Sequence, residues 1–222
     1  HTAYRRQRQM CIRDRDKTPK DRLYPDVYFK TEDELRLFTN QFYNNLVPSA
    51  VDIYSESSDL IVKSDLMLEM SGQRIIPDEG NGWNFTALRD INFYLQYSHN
   101  CTEVNARNRY DGVARFFRAY FYFEKVKRYG DIPWYDKALD SDDPELYKAR
   151  DSREFVMQKM LEDLDFAIAN LPKTKNAYVL TRWTALALKS RVCLFEGTFR
   201  KYHGLEAVSY THLRAHETLR HL

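Results

Sequence analysis

The strongest constraint on the fold is an aromatic run over residues 109–135, which reads RYDGVARFFRAYFYFEKVKRYGDIPWY. Eight residues from Tyr110 to Tyr129 are Phe or Tyr, and apolar side chains recur at spacings of three and four. This spacing predicts a long helix, and its wide apolar face indicates packing on more than one side. Gly130 fits a C-terminal cap, and Pro133 prevents further helix. The narrower polar face is assigned to four basic residues, Arg115, Arg118, Lys125 and Arg128.

Two helices are predicted before this aromatic helix. Thr31 is a good N-cap for the first, and Glu34 three residues later completes a capping box. Pro48 ends that helix, because proline disfavours a helical conformation in the residue before it. The second helix is predicted to open at Trp83 and to run to about Asn100, with apolar residues at helical spacing.

Two helices are predicted after it, over about 151–171, with an N-cap near Ser152, and over about 181–203. Short connections favour antiparallel hairpins, which pair the second helix with the third and the fourth with the fifth. Phe117 and Tyr120 are expected to be buried between these pairs. No alternating strand of convincing length appears in the sequence. The predicted fold class is therefore all-α, with tetratricopeptide-like helical pairs and long loops.

The two ends of the chain differ from its middle. Residues 1–15, HTAYRRQRQMCIRDR, carry five Arg and no apolar period, and residues 207–222 hold three of the six histidines. Both ends resemble translated sequencing adapters, so we interpret them as non-native and assign the folded domain to 16–206. The alternative interpretation is a basic nucleic-acid-binding arm at each end.

Composition excludes several classes of function. Without its ends the chain is close to neutral or slightly acidic, which argues against a nucleic-acid partner. The sequence has no run of about 18 apolar residues that could span a membrane. Cys101 and Cys193 are too far apart to form a metal motif or a disulfide framework. The aromatic content of 14% is typical of proteins that bind ligands through Tyr and Trp.

Catalytic and metal-binding motifs are scarce. The sequence has no G-x-S-x-G, no H-E-x-x-H and no phosphate loop. His99 and His203 are isolated in helical contexts and are expected to be structural. The acidic segment 140–143 lacks the spacing of a dedicated calcium loop, and Asp163 is expected on a solvated helix face with its acidic neighbours. We therefore predict no catalytic residues, no metal and no cofactor.

Aromatic residues in or beside the loops are better candidates for function. A sugar ring has an apolar face that stacks on Trp or Tyr, while polar side chains hydrogen-bond its hydroxyls. The candidate glycan contacts are Tyr54, Trp83 and Trp134, with Tyr135 beside them. Each has a structural alternative. Tyr54 covers the edge of the core, Trp83 anchors the second helix, and Trp134 and Tyr135 clamp the turn after Pro133.

Five stretches of the middle of the chain together resemble one family, the SusD/RagB-like outer-membrane nutrient-uptake lipoproteins. In family order they are FKTEDELRLFTNQFYNNL, GWNFTALRDINFYL, ARFFRAYFYFEKVKRYGDIPWY, DSREFVMQKMLEDLDFAIANLP and TRWTALALKSRVCLFEGTFRKYHG. The third stretch looks like the family's core helix and GD-P turn. The signal peptide, the lipidated cysteine and the later half of the family's chain are not among the matching parts. Ligand contacts vary within the family, so no motif carries them over residue by residue.

The resemblance implies an α-helical fold and a surface-exposed, lipid-anchored protein of the outer membrane. It also implies non-enzymatic capture of an oligosaccharide and its delivery to a SusC-like TonB-dependent transporter as partner. A lipid anchor outside this chain would then be the only membrane attachment. Two alternatives stay open: a helical-repeat scaffold that binds only protein, and an enzyme that acts on glycans.

Overall fold

The computed structural model describes residues 28–48, 71–73, 75, 82–140, 142–206 and 208. These residues form five α-helices: α1 (Glu32–Leu46), α2 (Thr86–Tyr97), α3 (Val104–Tyr129), α4 (Arg153–Asn170) and α5 (Arg182–Tyr202). Short 3-10 helices lie at Ser98–Asn100 and Pro144–Tyr147. Apart from one isolated bridge between Ile132 and Asp151, the described ranges contain no strand pairing. The all-α prediction is confirmed. Tyr54, residues 1–15 and nearly all of 207–222 lie outside the described ranges.

The helix ends follow from local chemistry. At the start of α1 the Thr31 hydroxyl accepts the Glu34 N–H at 3.3 Å, and the Glu34 carboxylate accepts the Thr31 N–H at 3.2 Å. Helix α3 ends at Gly130, whose φ of 72° suits glycine best. The Ser152 hydroxyl accepts the Phe155 N–H at 3.3 Å and caps α4. The predicted capping box, C-cap and N-cap are therefore confirmed.

Helix α2 begins later than predicted. Its first residue is Thr86, so Trp83 lies outside the helix rather than at its start. The cause is local, because the Asn84 side chain accepts the Thr86 N–H at 2.8 Å and competes with a helical turn. At its other end α2 stops at Tyr97, and the 3-10 turn continues to Asn100.

Helix α3 lies at the centre and packs against α1, α2 and α4, with its most extensive interface on α4. Gly112 lies against Leu171, whereas Arg118 reaches Asp163, so α3 and α4 run antiparallel. Phe117 is fully buried, and its ring contacts the Tyr43 ring at 4.9 Å between centroids. The helix pairs are thus joined chiefly through α3 and α4.

Three side chains differ from the sequence prediction. Tyr120 is only half-buried and packs at the edge of the core, because it lies at the margin of the apolar face of α3. Arg118 and Asp163 are buried, although both are predicted to lie on polar faces. Their charges are tolerated because they pair through two hydrogen bonds of 2.6 and 2.7 Å.

Candidate functional site

An open cleft of about 610 Å³ lies between the start of α2 and the connection from α3 to α4. Its size falls within the range of small-molecule sites. Four aromatic side chains line it: Trp83, Phe85, Tyr135 and Tyr147. Four basic side chains also line it: Arg89, Lys137, Lys148 and Arg150. The cleft therefore combines apolar ring surfaces with hydrogen-bond donors.

Trp83 is held at the rim of the cleft by other aromatic rings. Its ring meets Tyr129 edge-on at 4.9 Å and Phe85 at 5.2 Å between centroids. The guanidinium of Arg150 lies 4.9 Å from the centre of the indole ring. Trp83 nevertheless stays 36% exposed. It is anchored, as the structural alternative expects, and it also stays partly exposed at the rim.

Gly82 sets the path by which the chain enters the cleft. Its φ is 86°, and a Cβ atom there would lie 3.1 Å from the guanidinium of Arg128. Its carbonyl accepts a hydrogen bond from the Lys125 ammonium. Burial lowers the pKa of Lys125, and Arg128 lowers it further. Lys125 and Arg128 thus position the residue that precedes Trp83.

Trp134 and Tyr135 occupy different positions. Trp134 is only 6% exposed, and its ring stacks on Tyr122 at 4.2 Å between centroids. Tyr135 lines the cleft, and its N–H donates to the Tyr122 hydroxyl at 2.7 Å. The structure therefore brings Tyr135 together with Trp83 but does not bring Trp134 to the cleft. The packing of Trp134 matches the alternative in which it clamps the turn after Pro133.

A buried polar network forms the floor of the cleft. Asn92 donates to the carbonyls of Tyr135 at 2.9 Å and Lys137 at 3.2 Å, and it accepts from Arg118 at 3.3 Å. Burial alone would lower the pKa of Arg118, but its hydrogen bonds and ion pair with Asp163 outweigh burial and raise it. Arg118 thus remains charged and ties α2, α3 and α4 to the segment that follows Pro133.

Asp151 fixes the far wall of the cleft. Its carboxylate accepts the Trp134 N–H at 2.7 Å and pairs with the Lys148 ammonium at 2.9 Å. Burial opposes ionisation, but these two donors outweigh it and lower the pKa of Asp151. The Lys148 ammonium also lies 5.0 Å from the centre of the Tyr135 ring. One carboxylate therefore holds both Lys148, which lines the cleft, and the backbone of Trp134 behind it.

Sequence reasoning missed Tyr147 and Arg150. Tyr147 ends the short 3-10 helix and is 89% exposed. It meets the criterion applied to Trp83, an aromatic side chain in a polar loop, and could have been found that way. Arg150 carries no such signal, because only the folded chain places it over the Trp83 ring.

A second cleft of about 640 Å³ lies on the other side of the start of α2. Polar side chains dominate it, including Asn45, Asp90 and Glu124. Burial raises the pKa of Asp90 despite the neighbouring Arg89. Neither Trp83 nor Tyr135 lines this cleft, so we place the candidate site in the first one.

The described residues include neither a candidate metal site nor a helix suited to spanning a membrane. That part of the chain contains no cluster of three or more His, Cys, Asp or Glu that could hold a metal ion. None of its helices combines the length and apolar character needed to cross a membrane. Asp143 instead caps the 3-10 helix, accepting the Glu145 N–H at 2.9 Å, and lies 3.4 Å from the Lys137 ammonium.

The helices and the aromatic cleft define an all-α protein of helical hairpins. A family model described as "Starch-binding associating with outer membrane", SusD-like, matches residues 41–182, more than half of the chain. The chain therefore belongs to the SusD-like family. It is 29% identical over 87 residues to SusD-like protein P38 of Formosa agariphila, a match that covers 39% of this chain and 17% of that protein.

Solved structures confirm the fold. A SusD-like protein of Bacteroides fragilis is similar over 92% of this chain and 40% of its own, with a TM-score of 0.61 and 24% identity. A SusD superfamily protein of Bacteroides vulgatus is similar over 87% of this chain and 43% of its own, with a TM-score of 0.59 and 18% identity. A SusD-like carbohydrate binding protein of the same species is similar over 86% of this chain and 45% of its own, with a TM-score of 0.57 and 14% identity. The chain spans less than half the length of each of these relatives.

Proposed function

We propose that this chain is part of a non-enzymatic glycan-binding protein at the outer-membrane surface, which delivers oligosaccharide to a TonB-dependent transporter. The observation that carries the proposal is the partly exposed Trp83 at the rim of a cleft lined by basic side chains. The family description and the name of the carbohydrate-binding relative from Bacteroides vulgatus support the glycan-binding part of the proposal.

The cleft would hold a sugar by two kinds of contact. Trp83 and the exposed Tyr147 would stack on the apolar faces of sugar rings. Arg89 and Lys137 would donate hydrogen bonds to hydroxyl groups. The network of Asn92, Arg118 and Asp163 holds the floor in place before a ligand arrives, and such preorganisation reduces the entropy lost on binding.

The transporter partner and the lipid anchor are further parts of the proposal. Both come from the family resemblance, whereas the described residues support only the ligand cleft. A pull-down of a SusC-like transporter with the full-length protein would test the partner. Co-purification that survives detergent washing is the expected result, and its absence would remove the transporter from the proposal.

A glycan array tests the binding function. The biotinylated 222-residue chain would be displayed on streptavidin, because multivalent display raises the apparent affinity of a weak site. We expect retention of one group of oligosaccharides, and loss of that signal in Tyr147→Ala. Tyr178→Ala is the matched control, since Tyr178 is 91% exposed but lies outside the cleft. An array with no retained sugar would instead favour the protein-binding scaffold.

A further inference from the structure

The charge of the cleft is one-sided. Its described lining includes four basic side chains and no carboxylate. Three of the four pair with acids outside the lining. These pairs are Arg89 with Asp140 at 3.7 Å, Lys137 with Glu145 at 2.9 Å and Lys148 with Asp151 at 2.9 Å. Most of the positive charge of the cleft is therefore already compensated.

Arg150 is the exception. Within the described part of the chain it makes no ion pair, although Asp151 is its neighbour in sequence. The carboxylate of Asp151 is occupied by Lys148 and the Trp134 N–H. The guanidinium of Arg150 lies over the Trp83 ring, 4.9 Å from its centre, and its side chain is exposed. A cation that no described carboxylate pairs with is thus held beside the ring proposed to stack on sugar.

This arrangement suits a ligand that carries negative charge. A guanidinium presents five N–H donors in one plane and matches a carboxylate or a sulfate through two parallel hydrogen bonds. Such charge-assisted bonds are roughly twice as strong as hydrogen bonds between neutral groups. A neutral sugar would leave this donor set hydrogen-bonded mainly to water.

We infer that the cleft selects oligosaccharides bearing anionic groups, with Trp83 stacking on a ring and Arg150 binding the carboxylate or sulfate of that ring or its neighbour. This inference rests on the proposed glycan-binding function. It adds the chemical class of the ligand and a residue that determines specificity. Because Arg150 is exposed, its contribution is screened by salt, so the preference for anionic ligands should shrink as ionic strength rises.

The test compares three oligosaccharides of equal length: one neutral, one containing uronic acids and one sulfated. Titration of the 222-residue chain should show a preference of about fivefold for an anionic ligand, the effect of one exposed charged contact. Arg150→Gln should remove that preference by lowering the affinity for the anionic ligand about fivefold, while the affinity for the neutral ligand changes much less. Arg150→Lys should retain part of it, because lysine keeps the charge but lacks the planar fork.

Arg191→Gln is the control, because it removes the same charge from an exposed position on α5 outside the cleft. It should leave all three affinities unchanged. A higher affinity for either the uronic acid or the sulfated ligand supports the inference and identifies the anion. Equal affinities that Arg150→Gln does not alter would overturn the inference while leaving glycan binding intact. No binding of any of the three would overturn both.

Discussion

At the scale of single residues, the clearest departure from sequence reasoning is the buried pair of Arg118 and Asp163. Helical periodicity assigns charged side chains to solvated faces because it takes account of residue type and spacing alone. The partner that makes Arg118 tolerable in the core lies on another helix and is brought close only by folding. Arg118 of the same pair also donates a hydrogen bond to Asn92, which lines the cleft. A polar contact in the core therefore holds part of the cleft in place.

Removing one partner of this pair should be costly. We expect Asp163→Ala to lower the free energy of unfolding by about 3–5 kcal/mol, because it leaves the buried Arg118 charge uncompensated. Glu162→Ala is the control, since Glu162 is exposed and, among the described residues, pairs only with Lys159 one turn away. That change should cost less than about 1 kcal/mol. Urea denaturation measures both, and similar costs would contradict the role given to the pair.

Asp111 provides a test by pH. Burial raises its pKa, and this effect outweighs the hydroxyls of Ser98 and Tyr94 and the charge of Arg115, which all act in the opposite direction. A carboxyl group whose pKa is raised in the folded state contributes its full stabilisation below the unfolded pKa of about 3.9. That contribution to the free energy of unfolding is lost as pH rises through the folded pKa. Asp111→Asn should therefore gain stability relative to the parent chain as pH rises.

Urea denaturation at about pH 4 and about pH 7 would measure that change, because the first value lies near the ordinary carboxyl pKa and the second lies well above it. Asp142→Asn is the control, because Asp142 is exposed. Its free energy of unfolding should differ from that of the parent chain by nearly the same amount at both pH values. A difference for Asp111→Asn that stays constant or moves in the opposite direction would contradict the assignment.

At the scale of helices, local signals account for most of what the sequence predicts correctly. The capping box of Thr31 and Glu34, the cap at Gly130 and the N-cap at Ser152 each depend on a few neighbouring residues. The start of α2 is missed because a single side chain, Asn84, redirects the backbone. The antiparallel interface of α3 and α4 carries the core, and neither helix reveals that interface alone.

The core role of α3 predicts the effect of a truncation. Phe117→Ala should lower the free energy of unfolding by about 3–5 kcal/mol, the range for a buried Phe. Its ring lies against Tyr43 and Phe42 of α1 and is fully buried. Leu194→Ala on α5 is the control, because Leu194 is 62% exposed, and it should change stability by less than about 0.5 kcal/mol. A cost below about 1 kcal/mol for Phe117→Ala would place this face outside the core.

At the scale of the whole molecule, the chain covers less than half of its relatives' length, and several large apolar side chains stay exposed. They include Tyr178, Leu194, Tyr202 and Leu205. Their place as aromatic residues in or beside the loops made Trp83 and Tyr135 foreseeable as cleft candidates. Tyr147 and Arg150 reach the same cleft from a distant part of the sequence, so their contribution depends on the tertiary fold.

The exposed apolar side chains predict self-association of the isolated chain, since large apolar patches favour contact between copies. Sedimentation velocity over a range of concentrations should show oligomers or a rising weight-average mass. A Leu194→Glu, Tyr202→Glu double variant should shift the chain toward monomer. A parent chain that stays monomeric at every concentration would show that these residues form no associating surface.

The central claim is that the cleft binds sugar through Trp83, and calorimetric titration of a retained oligosaccharide tests it most directly. The parent chain should bind weakly, with a dissociation constant of about 1 mM, because it supplies only part of its relatives' length. Trp83→Ala should weaken binding at least about tenfold, as loss of an aromatic anchor does. Trp183→Ala, which removes a tryptophan that lies outside the cleft and donates to the Lys173 carbonyl, should leave affinity unchanged. Equal affinities of the parent chain and Trp83→Ala would contradict the claim.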